Sequence, residues 1–184
     1  VSNTDWKVTD SPVTYSSIYG GEDYDANKEL DGWMLPGYND KSWSKPVLSG
    51  NKTTLVSQRA TPLKVRDRLA TVRLMETENG DWVYDLGQNF SGIIEVKVKG
   101  NSKQAVKFHP AELLNPDKSV NQSASGHPFY FTYTLKGNAV ESWQPQFTYY
   151  GFRYVQIECA VPLGKPNPWN LPEVVEVTGL HTCN

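Results

Sequence analysis

Ile93-Ile94-Glu95-Val96-Lys97-Val98-Lys99 decides the fold. Ile94, Val96 and Val98 fall on one side of an extended chain, and Glu95, Lys97 and Lys99 on the other. That is the period of two expected of a strand with one dry and one wet face. Gly100-Asn101-Ser102 reads as a turn and Ala105 to His109 as the next strand, so a hairpin is expected between them. Trp82 to Leu86 is a strand that ends in Gly87-Gln88-Asn89. Phe129 to Leu135 alternates aromatics with threonines, Phe152 to Ile157 repeats the pattern, and Val174 to Leu180 is a final strand behind the Pro-rich loop 162–172. Upstream, Leu63 to Met75 reads as one strand or as two joined by a bend, and Leu55 to Arg59 and Val13 to Tyr19 as short strands. Residues 20–50, rich in Gly, Asp, Asn and Pro around Tyr24, Trp33, Tyr38 and Trp43, read as a long ordered loop, and 110–128 as a polar connection. No long segment has a 3.6-residue period. Short, regularly spaced strands with turn signals between them predict an all-β fold, an antiparallel β-sandwich of jelly-roll type without long helices.

The chain has 184 residues, enough to close a core of its own. Its 18 basic and 20 acidic residues give a net charge of -2. A protein that tracks phosphates needs a basic excess, so nucleic acid is not an expected partner. No apolar run approaches the roughly 18 residues that span a bilayer, so no membrane partner is expected either. The N-terminus lacks a basic-then-apolar signal pattern, and the first residue is Val, which predicts a longer parent chain. Cys159 and Cys183 show neither a disulfide framework nor metal-ligand spacing. The compartment stays open, with an extracellular or periplasmic setting favoured over the cytoplasm. Asn51, Asn89 and Asn121 each begin an Asn-x-Ser/Thr sequon. The 6 Trp, 10 Tyr and 6 Phe either fill a sandwich core or stack on the C–H faces of sugars.

Catalytic signatures are missing from the sequence: there is no Gly-x-Ser-x-Gly, no phosphate-binding loop and no His-Glu-x-x-His, and His109, His127 and His181 stand far apart. Glycoside hydrolysis needs two carboxylates at a set separation, which spacing along the chain does not display. The segment Gly20 to Asn27 offers Glu22, Asp23, Asp25 and Asn27, the hard oxygen ligands that Ca²⁺ takes. Glu22, Asp25 and Asn27 are thus the candidate metal set, against the alternative of an Asx-turn loop. In Asp85 to Gly92, Gly87 permits a positive φ, and Gln88 and Asn89 either read sugar hydroxyls or tie a turn. In Gln146 to Tyr154, Gly151 interrupts an aromatic strand, and Arg153 is expected to stack or to pair with Glu112 or Asp85. The candidate carbohydrate-binding set is Trp33, Tyr38, Trp43, Gln88, Asn89 and Arg153, with Asp85 and Glu112 as a structural polar cluster.

Several stretches, in order, resemble the bacterial α-L-rhamnosidases of glycoside hydrolase family 78: Ile18-Tyr-Gly-Gly-Glu-Asp-Tyr-Asp-Ala-Asn27, Gly32-Trp-Met-Leu-Pro-Gly-Tyr-Asn-Asp-Lys-Ser-Trp43, Tyr84-Asp-Leu-Gly-Gln-Asn-Phe-Ser-Gly92, Ala111-Glu-Leu-Leu114, Tyr133-Thr-Leu-Lys-Gly137 and Phe147-Thr-Tyr-Tyr-Gly-Phe-Arg-Tyr-Val155. The resemblance implies a multidomain enzyme whose β-sandwich domains precede an (α/α)₆ barrel that carries the catalytic acid and base. That barrel is expected beyond Asn184, so this chain alone is expected not to be an enzyme. Residues 1–66 would be the tail of an N-terminal β module and 67–184 a sandwich, concanavalin-like or galactose-binding-like, the two free to pack as one unit. No cofactor is expected, with calcium as the possible exception; the resemblance would bring it through the rhamnose-binding module that some relatives carry, and nothing here matches that module's metal-binding half. Asn27 stands where the family usually has Arg. Three functions compete: a scaffold for the barrel in cis, a module binding rhamnose-containing oligo- or polysaccharide, and an independent jelly-roll glycosidase or lyase. Trp33 and Trp43 separate the first two, since exposed coplanar rings favour sugar and buried rings favour scaffold.

Overall fold

The computed structural model describes residues 3–50, 53–125, 128–137 and 139–184. Asn51 and His127 lie outside them. The strands in chain order are β1 (Val13–Ser17), β2 (Gly21–Asp25), β3 (Lys64–Ala70), β4 (Arg73–Glu76), β5 (Trp82–Lys99), β6 (Ala105–Ala111), β7 (Leu113–Leu114), β8 (Val120–Asn121), β9 (Tyr130–Thr134), β10 (Glu141–Trp143), β11 (Tyr150–Glu158), β12 (Val161–Pro162) and β13 (Glu173–Cys183). Helix is confined, among the described residues, to the single 3₁₀ turns Ala26–Lys28 and Ser123–Ser125. None is long and apolar enough to cross a membrane.

β5 organises both layers. Along Trp82–Gly92 it pairs with β11, and from Gly92 to Lys99 it pairs with β13. β4 and β10 take its remaining edge positions at Trp82–Asp85 and Val96–Val98. One strand thus belongs to two sheet layers that fold against each other. Gly92 is the crossing point, opposite both Tyr150 and His181. A Cβ there would meet the Leu180 carbonyl oxygen at 2.0 Å, so only glycine fits. The larger layer continues from β11 through β6 and β9 to β2 and β1.

The alternation from Ile93 to Lys99 is observed as expected: Ile94, Val96 and Val98 are sealed. With Val174 and Val177 they pack in one apolar cluster with Val106, Phe108, Phe131, Tyr133, Val155 and Ile157 of the other layer. Trp143 stacks on Tyr133 at a centroid distance of 5.5 Å. Each such side chain contributes about 1.5–3 kcal/mol by leaving water.

Four expectations need correction. β6 does not form a hairpin with β5; it lies between β9 and β11. Both edges of β5 at Val96–Val98 are already occupied, by β10 and β13, so the chain leaving Lys99 must cross to the opposite layer. The strand expected to end at Leu86 runs on past a bulge: Gly87, at φ +88°, lies among residues 86–89, which stand opposite Arg153 alone, and pairing with β11 resumes at Phe90. Leu55 to Arg59 is not a strand: no strand pairs with it among the described residues, and its apolar side chains Leu55 and Val56 stand in solvent. Residues 20–50 are not loop throughout, since β2 adds to the sheet beside β9. That pair is parallel, as is β12 with β13, so the otherwise antiparallel sandwich is mixed at two places. Residue 66 falls inside β3, which pairs with β13.

Candidate functional site

Strand geometry scatters the oxygen-rich segment. On β2, Glu22 and Asp25 fall on opposite faces. Glu22 points inward and is fully buried; its carboxylate accepts the Gln146 N–H at 3.0 Å and the Phe147 N–H at 3.0 Å. Asp25 Oδ1 accepts both the backbone N–H (3.0 Å) and the Nδ2–H (2.9 Å) of Asn27, an Asx turn that caps the 3₁₀ turn. Asn27 Nδ2 also donates to the Leu135 carbonyl (2.9 Å), and its Oδ1 accepts from the Ser102 hydroxyl (2.8 Å). The Asn27 amide therefore ties β2 to two other loops. The three residues do not converge on a common point, so they do not fit one calcium ion.

Asp85 and Arg153 form the expected pair. Arg153 Nε donates to Oδ1 at 2.7 Å and Nη2 to Oδ2 at 2.9 Å, a bidentate fork. The guanidinium holds the Asp85 carboxyl below the usual carboxylate range, with the Gly87 N–H as a further donor. Arg153 also lies over the Tyr154 ring, 5.0 Å from its centroid. Asn89 Nδ2 donates to Glu112 Oε1 at 2.8 Å, so Glu112 belongs to the same surface but not to the arginine. Gln88 is exposed next to Asn89. Asp85, Arg153, Asn89 and Glu112 thus engage one another in two separate pairs.

The three loop aromatics separate. Trp33 is 55% exposed, whereas Tyr38 and Trp43 are half-buried against each other, 5.8 Å apart and inclined by 60°. With Trp33 exposed and Trp43 half-buried, the two rings are neither both exposed nor both buried.

Sequence reading misses three features. Glu141 is buried and accepts the Tyr133 hydroxyl (2.8 Å) and the Lys136 (2.9 Å) and Gly137 (2.8 Å) N–H groups. His109 is mostly buried, with Nε2 3.2 Å from Glu158. Burial pushes its pKa below the usual histidine value, opposed by Glu158. Third, a cleft of about 330 Å³ opens between Tyr15, Gly20, Asp23, Pro128 and Tyr130. Tyr15 and Tyr130 are distant in sequence and meet only because β2 pairs with β9, a parallel pairing that no local pattern signals.

Comparison with known proteins fixes the family. Residues 75–179, more than half of the chain, match the bacterial alpha-L-rhamnosidase concanavalin-like domain, and residues 1–67 match the alpha-L-rhamnosidase N-terminal domain. The chain belongs to the bacterial α-L-rhamnosidase family. An α-L-rhamnosidase of Streptomyces avermitilis is 34% identical over 98% of this chain, which spans 17% of that relative. The crystal structure of a Streptomyces avermitilis α-L-rhamnosidase complexed with L-rhamnose superposes with a TM-score of 0.86 at 34% identity, covering 98% of this chain and 17% of that one. An α-L-rhamnosidase structure from Dictyoglumus thermophilum gives 0.84 at 33%, covering 98% and 20%. The region shared with these rhamnosidases is their pair of accessory β domains rather than a catalytic barrel.

Proposed function

We propose that this chain serves as the non-catalytic sandwich region of an α-L-rhamnosidase acting on rhamnose-containing glycans, and that it supports the catalytic barrel in cis. One observation carries the reading: the acids with the deepest burial are committed to the fold. Glu22 and Glu141 hold backbone N–H groups of turns, and Asp85 is clamped by Arg153. A catalytic acid must instead face a cleft with its proton available. Removing residues 1–184 from the intact parent tests the role. The truncated parent should lose stability or soluble yield together with activity; a truncated parent as stable and as active as the intact one would refute the support role.

A second reading, glycan binding by this chain, is favoured by the cleft between Tyr15 and Tyr130. Two aromatic rings and the Asp23 carboxylate line a space of about 330 Å³, of the order that holds a small ligand. Titration with L-rhamnose and rhamnogalacturonan oligosaccharides, with and without calcium, separates the readings. Shifts at Tyr15 and Tyr130 at millimolar sugar favour glycan binding, and their absence leaves support alone.

A further inference from the structure

The boundary between the two family stretches does not coincide with the boundary of the sheet. Residues 1–67 match one domain and 75–179 the other, yet β2, from the first, lies inside the larger layer beside β9, from the second. The pairing runs in register over five residues, from Gly21 opposite Tyr130 to Asp25 opposite Thr134. Three features fit β2 to that edge. A Cβ at Gly21, at φ +97°, would meet the Tyr130 carbonyl oxygen at 1.8 Å, so only glycine lets the two backbones approach. Glu22 and Tyr24, two residues apart, turn to the same face. The Glu22 carboxylate takes the Gln146 and Phe147 N–H groups, and the Tyr24 ring stacks on Tyr133 at 5.8 Å and lies 6.0 Å from Trp143. Just beyond the strand, Ala26 is buried in the apolar cluster, and Asn27 reaches Leu135 and Ser102. All of these partners fall within 75–179.

The connection that carries β2 is slight by comparison. Between the 3₁₀ turn that follows β2 and the start of β3, the described residues form no strand, and residues 53–63 are exposed throughout. On the other side, β1 pairs with β2 alone among the described strands. The hairpin is thus held by the face on which it docks. The geometry points to the β9 edge, with the Gln146 and Phe147 N–H groups, as a strand-acceptor site for the acidic segment Pro12–Glu29, able to capture that segment when it is supplied on a separate chain. Recognition is by strand addition: backbone hydrogen bonds give affinity, and the seats of Glu22 and Tyr24 select the sequence. The concanavalin-like stretch is then not self-sufficient. With the site empty, β9 becomes an unpaired edge and the apolar surface at Tyr133 and Trp143 opens to water.

A protease recognition sequence inserted between Ala60 and Thr61 of the full chain lets the connection be cut after folding. The pieces 1–60 and 61–184 should still co-elute at micromolar concentration. A labelled peptide of residues 12–29, offered in excess to the cut protein in sub-denaturing urea, should replace the native segment on the large piece. In the peptide, Glu22→Ala should weaken capture about tenfold or more, and Gly21→Ala should abolish it. Tyr19→Ala, at an exposed turn position, should leave capture unchanged. The substitutions sit in the peptide, so the acceptor is the same protein in every arm. Aggregation of 61–184 on removal of the small piece, prevented by the peptide, supports the site; aggregation that the peptide does not prevent overturns it. Pieces that separate on cutting and leave 61–184 folded and monomeric overturn it. Pieces that stay together yet take up no peptide overturn it too, since contacts outside 12–29 would then hold them. Capture indifferent to Gly21→Ala and Glu22→Ala is adhesion without strand pairing and equally overturns it.

Discussion

Trp33, Leu35, Leu48 and Leu55 stand largely in solvent, while Phe108, Phe131, Phe152 and Ile157 are sealed completely or nearly so. The two groups are similar in size and hydrophobicity. They differ in what the backbone around them does. Between residues 30 and 63 the described residues form one isolated bridge, Val8 with Ser44, and local turns. From Trp82 onward each strand has neighbours, so alternate side chains point at an opposing layer about 10 Å away. Burial therefore follows from pairing, and composition alone does not distinguish the regions. The exposed group belongs to the segment matched by the N-terminal domain of the family.

The contrast can be broken most severely at its hinge. Gly92→Ala forces a Cβ into the Leu180 carbonyl and should cost on the order of 5 kcal/mol, the exceptional end of single substitutions. Chemical denaturation measures it; a variant as stable as wild type would mean that β5 does not cross layers there. Phe131→Ala empties the centre of the sandwich and should cost about 3–5 kcal/mol by the same assay. Glu22→Ala strands the Gln146 and Phe147 N–H groups and should cost about 2–3 kcal/mol. Trp33→Ala, on the other side of the comparison, should stay within about 0.5 kcal/mol.

A pH series sharpens the comparison at smaller scale. His109 is kept neutral by burial, so the unfolded chain takes up the proton first. Stability is full above about pH 6.5 and should decline as the pH falls below it. Glu158 and Asp81, which favour the charged ring, and Lys107, which opposes it, limit the size of the effect. His109→Asn should flatten the profile in that window, and an unchanged profile would place the titration elsewhere.

Much of the sandwich is legible in the sequence because its central strands alternate cleanly. Ile94, Val96, Val98, Phe129, Phe131, Tyr133 and Leu135 all turn the face that the pattern assigns. What is not legible is partnership. Nothing local says that β6 skips β5, or that β2 lies parallel to β9. Gly87-Gln88-Asn89 carries the composition of a turn yet sits inside an 18-residue strand, as a bulge after which pairing with β11 resumes at Phe90. Glu22 looks like a metal ligand because a carboxylate in an acidic segment resembles one. Its role as a buried acceptor depends on Gln146 and Phe147, more than a hundred residues away. The sequence leaves Arg153 between Asp85 and Glu112, and only the pairing of β5 with β11 settles it for Asp85.

Hydrolysis of an aryl α-L-rhamnoside, measured for this chain alone beside its intact parent at equal molar concentration, bears most directly on the central reading. The account predicts steady turnover by the parent and none above buffer by the chain. Turnover by the chain alone would contradict it, for the reacting acids would then have to lie among residues assigned here to holding the sandwich together.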